Sequence, residues 1–241
     1  EPSILNPTYS FVASLSKSNP LNRTLSLTAY DYTGAALDTI SFISTAAIET
    51  VEVQQEIENT LSLSATVIFT SMNAVEVVAS FMHGEQPVWN IYCIGNATKH
   101  RLQQQFSKSN IVGTANDAMA LASLIVENES VSEVIFFCGD KRRDELPNFL
   151  NEAGIEVQEI VLYETIPLPQ KVSKEYVGIL FFSPSAVQSF FSVNKIPAAT
   201  IVFAIGQTTA REVKKYCSNK IIISDEPAKQ NLIEKMVEYF T

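Results

Sequence analysis

The chain has 241 residues, 46% hydrophobic and 18% charged, enough to bury an ordinary core and better suited to two modest domains than to one large one. Its formal charge of −9, from 26 acidic against 17 basic residues, comes without a Lys/Arg stripe interleaved with aromatics, which argues against nucleic acid as a partner. No apolar run approaches the roughly 18 residues that span a bilayer, and "EPSILNPTYS" lacks the basic and apolar segments of a leader, so no membrane association is expected.

Three cysteines, Cys93, Cys138 and Cys217, cannot all pair within one chain, and two of them lie in apolar strand-like runs where small buried thiols are common. That pattern points to a reducing, cytoplasmic setting. With no CxxC and only His83 and His100, a Cys/His metal site is not expected.

In chain order, "YSFVASLSK" (Tyr9 to Lys17) reads as a first strand, and "NPLNRTLSLTAYDYTGAA" as a short helix followed by a turn at Gly34. "DTISFISTAAI" (38–48) reads as an extended connection. From Ala65 onward apolar strands alternate with amphipathic helices, the signature of parallel sheets with helices on their faces. "VIFTSMNAVEVV" (Val67 to Val78) passes from strand through a Ser-containing turn into helix, and "YCIGNAT" (Tyr92 to Thr98) repeats that logic. "AMALASLIVE" places Ala118, Leu121, Ala122 and Ile125 on one helical face. "EVIFFCGD" predicts a strand. "DELPNFLNEAG" predicts a helix with Leu146, Phe149, Leu150 and Ala153 inward and Gly154 as its C-terminal cap, and "IEVQEIVLYET" returns as a strand. The two prolines of "YETIPLPQKV" (Tyr163 to Val172) favour extended backbone and prevent a helix.

The second half then restates the first. "ILFFSPSAVQSF" (Ile179 to Phe190) matches Val67 to Val78 with Ser183 lying 112 positions after Ser71, and "FAIGQTT" (Phe203 to Thr209) matches "YCIGNAT" at an offset of 111. At that offset Leu232 meets Leu121 and Met236 meets Ile125, and "NLIEKMVEYF" turns Leu232, Ile233, Met236, Val237 and Phe240 inward. Three strand-loop-helix units in order at one offset predict two similar α/β domains. The N-terminal strand has no place in the middle domain and would complete the other. The expected organisation is therefore 1–40 plus 172–241 as one discontinuous domain and 46–163 as an inserted one, with 38–48 and 163–172 as extended crossovers beside a cleft.

Loops where strands end and helices begin form the binding edge of such sheets, and helix starts there suit carboxylates or phosphates. They carry the small polar side chains Ser71, Asn73, Thr98, Ser183, Ser185, Thr208 and Thr209. Taken singly, each Ser or Thr reads better as an N-cap worth about 0.5–2 kcal/mol; their duplication across both halves favours a shared ligand-facing role. "DKRRDE" (Asp140 to Glu145) reads equally as a solvated turn or an anion contact. There is no GxGxxG after a strand, no GxxxxGKS/T loop and no GxSxG elbow, so dinucleotide, P-loop and Ser-His chemistry have no support. Tyr163, at the end of a strand, is one of the few groups able to donate a proton at neutral pH, although a tyrosine there is more often half-buried packing.

"FTSMNAV", "CIGNAT", "CGDKRRDELPNFLNEAGIEVQEIVLYET", "FFSPSAV" and "AIGQTTARE", in this order and spacing over Ala65 to Glu238, resemble the uroporphyrinogen-III synthase family. The resemblance implies two Rossmann-like domains joined by two crossovers, with the N-terminal strand in the second domain. It implies a cofactor-free cyclisation of hydroxymethylbilane to uroporphyrinogen III in haem biosynthesis. Loss of the terminal hydroxyl leaves an azafulvene, and ring D rejoins inverted through a spiro intermediate. On this resemblance Tyr163 assists departure of the hydroxyl. Ser71, Ser183, Thr208 and Thr209 line the cleft, and Arg143 is the basic residue of the Gly-x-x-x-Arg turn. It implies a small-molecule substrate, with room for a handover from hydroxymethylbilane synthase; monomer is the default state because no amphipathic surplus is visible in the sequence. Where the family's first strand ends in Thr-Arg, this chain has Ser16 and Lys17, reducing a bidentate carboxylate contact to a point charge. Residues 19–48 match the family poorly.

Two other readings share the fold: a non-catalytic, hinge-closing binding protein for a small polyanion, and a catalytically dead relative serving as an interaction partner.

Overall fold

The computed structural model describes residues 10–19, 22–30, 36–84, 86–172, 176–226 and 229–240, with side chains described from residue 44 onward apart from 229 and 230. Spatial proximity divides the chain into two units. One comprises Glu1–Lys17, Arg23–Ser44 and Ile166–Thr241, the other Ser18–Asn22 and Thr45–Thr165.

The second unit is built on five parallel strands: β4 (Thr66–Phe69), β5 (Asn90–Ile94), β6 (Asn110–Ala115), β7 (Glu133–Gly139) and β8 (Glu156–Pro167), in the order β8-β7-β4-β5-β6. In the N-terminal part of the first unit, β1 (Ser10–Asn19), β2 (Asn22–Tyr30) and β3 (Ala36–Ala47) lie side by side in the order β1-β2-β3. The strand at Asn22–Tyr30 corrects the helix expected there. "NRTLSLTAY" alternates Leu25 and Leu27 with Thr24, Ser26 and Thr28, a period of two rich in β-branched residues that suits a pleated strand. Gly34 lies outside the described residues. The strand order sets β1 beside β2, since strands successive in sequence pair readily.

Both faces of the five-stranded sheet are covered, so its central strands β4, β5 and β7 are largely apolar, and alternate residues enter different cores. Val67, Phe69 and Phe137 pack on one side with helices α1 (Val51–Leu61), α2 (Met72–Ser80) and α3 (Asn96–Gln105). Ile68, Phe136 and Cys138 pack on the other with α4 (Ala118–Val126) and α5 (Glu145–Glu152). Trp89, 1% exposed, sits among Phe69, Phe106 and Phe137, and its indole N–H donates to the Thr60 carbonyl at 3.1 Å, which ties α1 to the sheet. Helix α1 was not anticipated. Its signals are the N-cap Thr50, whose hydroxyl accepts from the Val53 N–H, and the spacing of Val53, Ile57 and Leu61.

Helix α5 ends as expected. Gly154 takes φ +83°, a conformation open to glycine, and the Gly154 and Ile155 N–H groups close on the carbonyls of Asn151 and Leu150. Leu146 and Leu150 are buried, whereas Ala153, expected inward, is exposed because the helix terminates beneath it.

The C-terminal part of the first unit has strands β9 (Gly178–Phe181), β10 (Ile201–Ala204) and β11 (Ile221–Ile223) in the order β11-β10-β9, all parallel. Helices α6 (Pro184–Phe191) and α7 (Gln207–Val213) cover Phe181 and Val202 on one face, and α8 (Lys229–Phe240) covers Leu180 and Phe203 on the other. Leu232 and Met236 of α8 are buried, but Val237 and Phe240 remain 40% exposed, so the inward stripe is narrower than its periodicity predicts.

The internal repeat is reproduced pair by pair. Thr66 pairs with Asn90 and Phe69 with Cys93, and their counterparts at offsets of 112 and 111 pair identically, Gly178 with Ile201 and Phe181 with Ala204. The correspondence stops at β6, which carries an irregularity after Ile91/Ile111 that β11 lacks. The fold class read from the sequence, α/β with parallel sheets, is the one observed.

Candidate active site

Four turns at carboxyl ends of strands carry the residues singled out by the sequence. After β4, Ser71 adopts extended backbone and caps α2, its hydroxyl accepting from the Asn73 N–H at 3.1 Å. After β9, Ser183 caps α6 the same way, accepting from Ala186 N–H at 3.1 Å, with Pro184 at the first helical position. Both serines therefore do the structural work of N-caps, whatever else they do. After β5 and β10 the caps are Gly95 and Gly206, which offer no side chain, so the first-turn N–H groups of α3 and α7 receive no side-chain cap.

Tyr163 and Ser71 meet. The phenol O–H donates to Ser71 Oγ at 3.0 Å, joining β8 to the start of α2. The ring is half-buried against the core on the α2 side of the sheet. Burial raises the Tyr163 pKa above its ordinary value, and the nearby Cys138 and Asp140 push the same way, while the hydrogen bond with Ser71 opposes them. The phenol thus keeps its proton across the neutral range and acts as a hydrogen-bond donor.

The turn after β7 fixes the main chain around this tyrosine. The Asp140 N–H donates to the Tyr163 carbonyl at 3.0 Å, and the Asp140 carboxylate accepts from the Thr165 N–H at 2.8 Å. Arg142 ion-pairs through two nitrogens with Glu159 on β8, one contact at 2.9 Å, and also with Asp144. Arg143, named from the sequence, is exposed and lies 3.7 Å from Glu145. The charge cluster thus divides its labour: Arg142 braces the turn, and Arg143 faces solvent. Within "DKRRDE" nothing in the sequence separated the two arginines.

Among the remaining candidates, Asn73, Ser185 and Thr208 are half-buried. Thr98 and Thr209 are only 5% and 3% exposed, so the threonine that closes each "IGxxT" loop belongs to the packing beneath its helix start. Lys17 lies in β1, outside the described side chains. Gly139 and Asp140 escaped sequence reasoning as site residues. A surface depression of about 560 Å³ lies elsewhere, between α7 and β11 at the edge where strands begin, lined by Lys214, Tyr216 and Asn219 among others. It holds none of the candidate residues. No described helix is long and apolar enough to cross a membrane.

The chain is 25% identical over 220 residues to a uroporphyrinogen-III synthase of Saccharomyces cerevisiae, spanning 76% of this chain and 79% of that protein. In fold it is similar to the crystal structure of uroporphyrinogen-III synthetase from Helicobacter pylori, with TM-score 0.61, 18% identity, and coverage of 82% of this chain and 91% of that one. A mutant uroporphyrinogen III synthase from Thermus thermophilus gives TM-score 0.60 at 15% identity, covering 83% and 86%. The family profile described as Uroporphyrinogen-III synthase HemD matches residues 34–234, beginning inside the segment 19–48 where the sequence motifs are weakest. With most of its length so matched, the chain belongs to the uroporphyrinogen-III synthase family.

Proposed function

We propose that this protein cyclises hydroxymethylbilane to uroporphyrinogen III with inversion of ring D, without a cofactor. Family membership supports the reaction, and one observation supports its chemistry: the protonated, half-buried Tyr163 phenol held 3.0 Å from Ser71 Oγ at the carboxyl ends of β8 and β4.

Departure of the terminal hydroxyl breaks a C–O bond whose electron pair leaves with the oxygen, and the pyrrole N–H of the same ring gives up its proton as the azafulvene forms, so that the net loss is one water. Tyr163 turns its O–H from Ser71 to that oxygen. Ser71, free to rotate its own hydroxyl, then donates to the phenol oxygen as negative charge builds there. A phenol whose pKa is raised gives up its proton reluctantly, so it polarises the leaving group by hydrogen bonding more than by complete transfer. The larger share of catalysis lies in folding the bilane so that the substituted carbon of ring D reaches the azafulvene. The substrate's acetate and propionate arms meet a chain of net charge −9, so local donors must bind them: Arg143, Ser183, Ser185, Thr208, Lys17 and the uncapped N–H groups at the start of α3. The same reading takes the protein as a cytoplasmic monomer that accepts substrate from hydroxymethylbilane synthase; its three free thiols support the reducing compartment.

The test is a coupled assay with hydroxymethylbilane generated in situ, followed by oxidation and chromatographic separation of the uroporphyrin I and III isomers. A dominant III isomer is expected. Only the spontaneous I isomer, from protein shown to be folded, overturns the reading in favour of a non-catalytic polyanion-binding protein.

A further inference from the structure

A regular strand sends successive side chains to opposite faces. Along β7 this holds: Ile135 and Phe137 join the core on the α2 side, Phe136 and Cys138 the core on the α4/α5 side. Along β8 it holds through Ile160, Val161 and Leu162, which enter the two cores alternately. It then breaks. Tyr163 packs on the same side as its neighbour Leu162. The pairing shows why: Cys138 is opposite Val161, but the next pair is Gly139 with Tyr163, so Leu162 is passed over. One extra residue on β8 is a bulge, and its effect is to re-aim the following side chain. Without it, Tyr163 would point to the α4/α5 side, away from Ser71.

Re-aiming the ring brings it onto β7 at Gly139. A Cβ at that position would lie 2.4 Å from both Cε2 and Cζ of Tyr163 and 2.8 Å from its hydroxyl oxygen, closer than non-bonded atoms come. The backbone of Gly139 is not in the left-handed region, which is confined to Gly84, Gly95 and Gly154 among the described glycines. Glycine is therefore required here for space and not for conformation. The residue after it, Asp140, clamps the tyrosine's own main chain through the bonds to the Tyr163 carbonyl and the Thr165 N–H. Bulge, seat and clamp converge on one ring.

We propose that Gly139 is a positioning residue that acts through Tyr163: the bulge passing over Leu162 turns the phenol toward Ser71, and the missing side chain of Gly139 is the seat the ring occupies. This rests on the reading of Tyr163 as the donor to the departing hydroxyl.

The test combines Gly139→Ala, Tyr163→Ala and the double variant in the coupled assay, with ultraviolet difference titration of the Tyr163 phenol against Tyr163→Phe. Gly139→Ala is expected to lower kcat on the order of 10-fold to 100-fold with KM within about twofold, as a misplaced group costs rate more than binding. Its phenol titration should fall toward the ordinary tyrosine value of about 10 as the ring is displaced into water. In the Tyr163→Ala background Gly139→Ala should change kcat by less than about twofold, because the coupled partner is gone. An equal loss in both backgrounds, or wild-type kcat and titration in Gly139→Ala, overturns the proposal. If Tyr163→Phe and Tyr163→Ala both turn over at the wild-type rate, the donor reading falls instead. The titration then decides alone: a shift in Gly139→Ala supports the seat and no shift overturns it. Should Gly139→Ala fail to fold, a folded Gly139→Ala/Tyr163→Ala protein supports the seat, since removing the ring relieves the clash, and an unfolded one overturns it.

Discussion

The phenol of Tyr163 donates a 3.0 Å hydrogen bond to Ser71 Oγ across a separation of 92 residues, and so links β8 to the helix α2 that completes the first strand-loop-helix unit of the same sheet. Ser71 thereby has two duties. It caps α2 through the Asn73 N–H, and it receives the only hydroxyl proposed to touch the leaving group.

Tyr163→Phe is expected to lower kcat about 10-fold to 100-fold at near-constant KM while retaining the III isomer, below the range for full general-acid catalysis because a raised phenol pKa favours hydrogen bonding over transfer. Initial rates and isomer analysis check this. A folded variant with no detectable III isomer would move the main catalytic burden from substrate folding to proton transfer.

Ser71→Ala should cost about 1 kcal/mol of stability through the lost cap. It should also raise the Tyr163 pKa further, because the hydrogen bond with Ser71 is the one contribution that lowers it. Denaturant midpoints and ultraviolet titration read the two effects separately. A cap loss without a titration shift would mean that the hydroxyl pair does not persist in solution.

The neighbouring arginines should separate. Arg142→Ala removes the partner of half-buried Glu159 and is expected to cost about 1.5–3 kcal/mol, the range for hydrogen bonds to charged groups. Arg143→Ala, on an exposed side chain, should stay within about 0.5 kcal/mol of wild type and raise KM. Thermal melts and substrate titration of the two proteins decide it, and the reverse pattern would refute the division drawn within the turn.

Cys138 gives an alkaline signature. Burial, with the Glu159 charge, pushes its thiol from 9.0 up to about 12, against a smaller opposing effect of Arg142. Between those values the unfolded chain has released the proton and the folded chain still holds it, so stability falls as pH rises from about 9 to about 12. Tyr163, also raised by burial, adds a decline that starts near its ordinary value. In Cys138→Ala the urea midpoint should decline less steeply over that window than in wild type. An unchanged slope would place the alkaline loss on other groups.

Much of the fold is legible in the sequence because repetition and periodicity are local signals. The strand-loop-helix units, the helix stop at Gly154 and the offsets of 112 and 111 all reappear, the last as the matched pairs Thr66–Asn90 and Gly178–Ile201. Where local signals compete, the periodicity and the packing decide. "NRTLSLTAY" has turn-forming flanks that resemble a helix boundary, yet its period of two makes it β2. Thr98 and Thr209 carry hydroxyls at loop positions that suit a ligand, but the first turn of a helix rotates them into the core.

From sequence alone came the α/β class, the internal duplication and, through the family resemblance, Ser71 and Tyr163 as separate candidate site residues. Side-chain aim required the tertiary structure. A one-residue slip between β7 and β8 turns Tyr163 to the α2 face, and the empty position at Gly139 receives its ring. A slip of that kind leaves composition and hydrophobic alternation untouched, because it is defined only by which residue of one strand faces which residue of another.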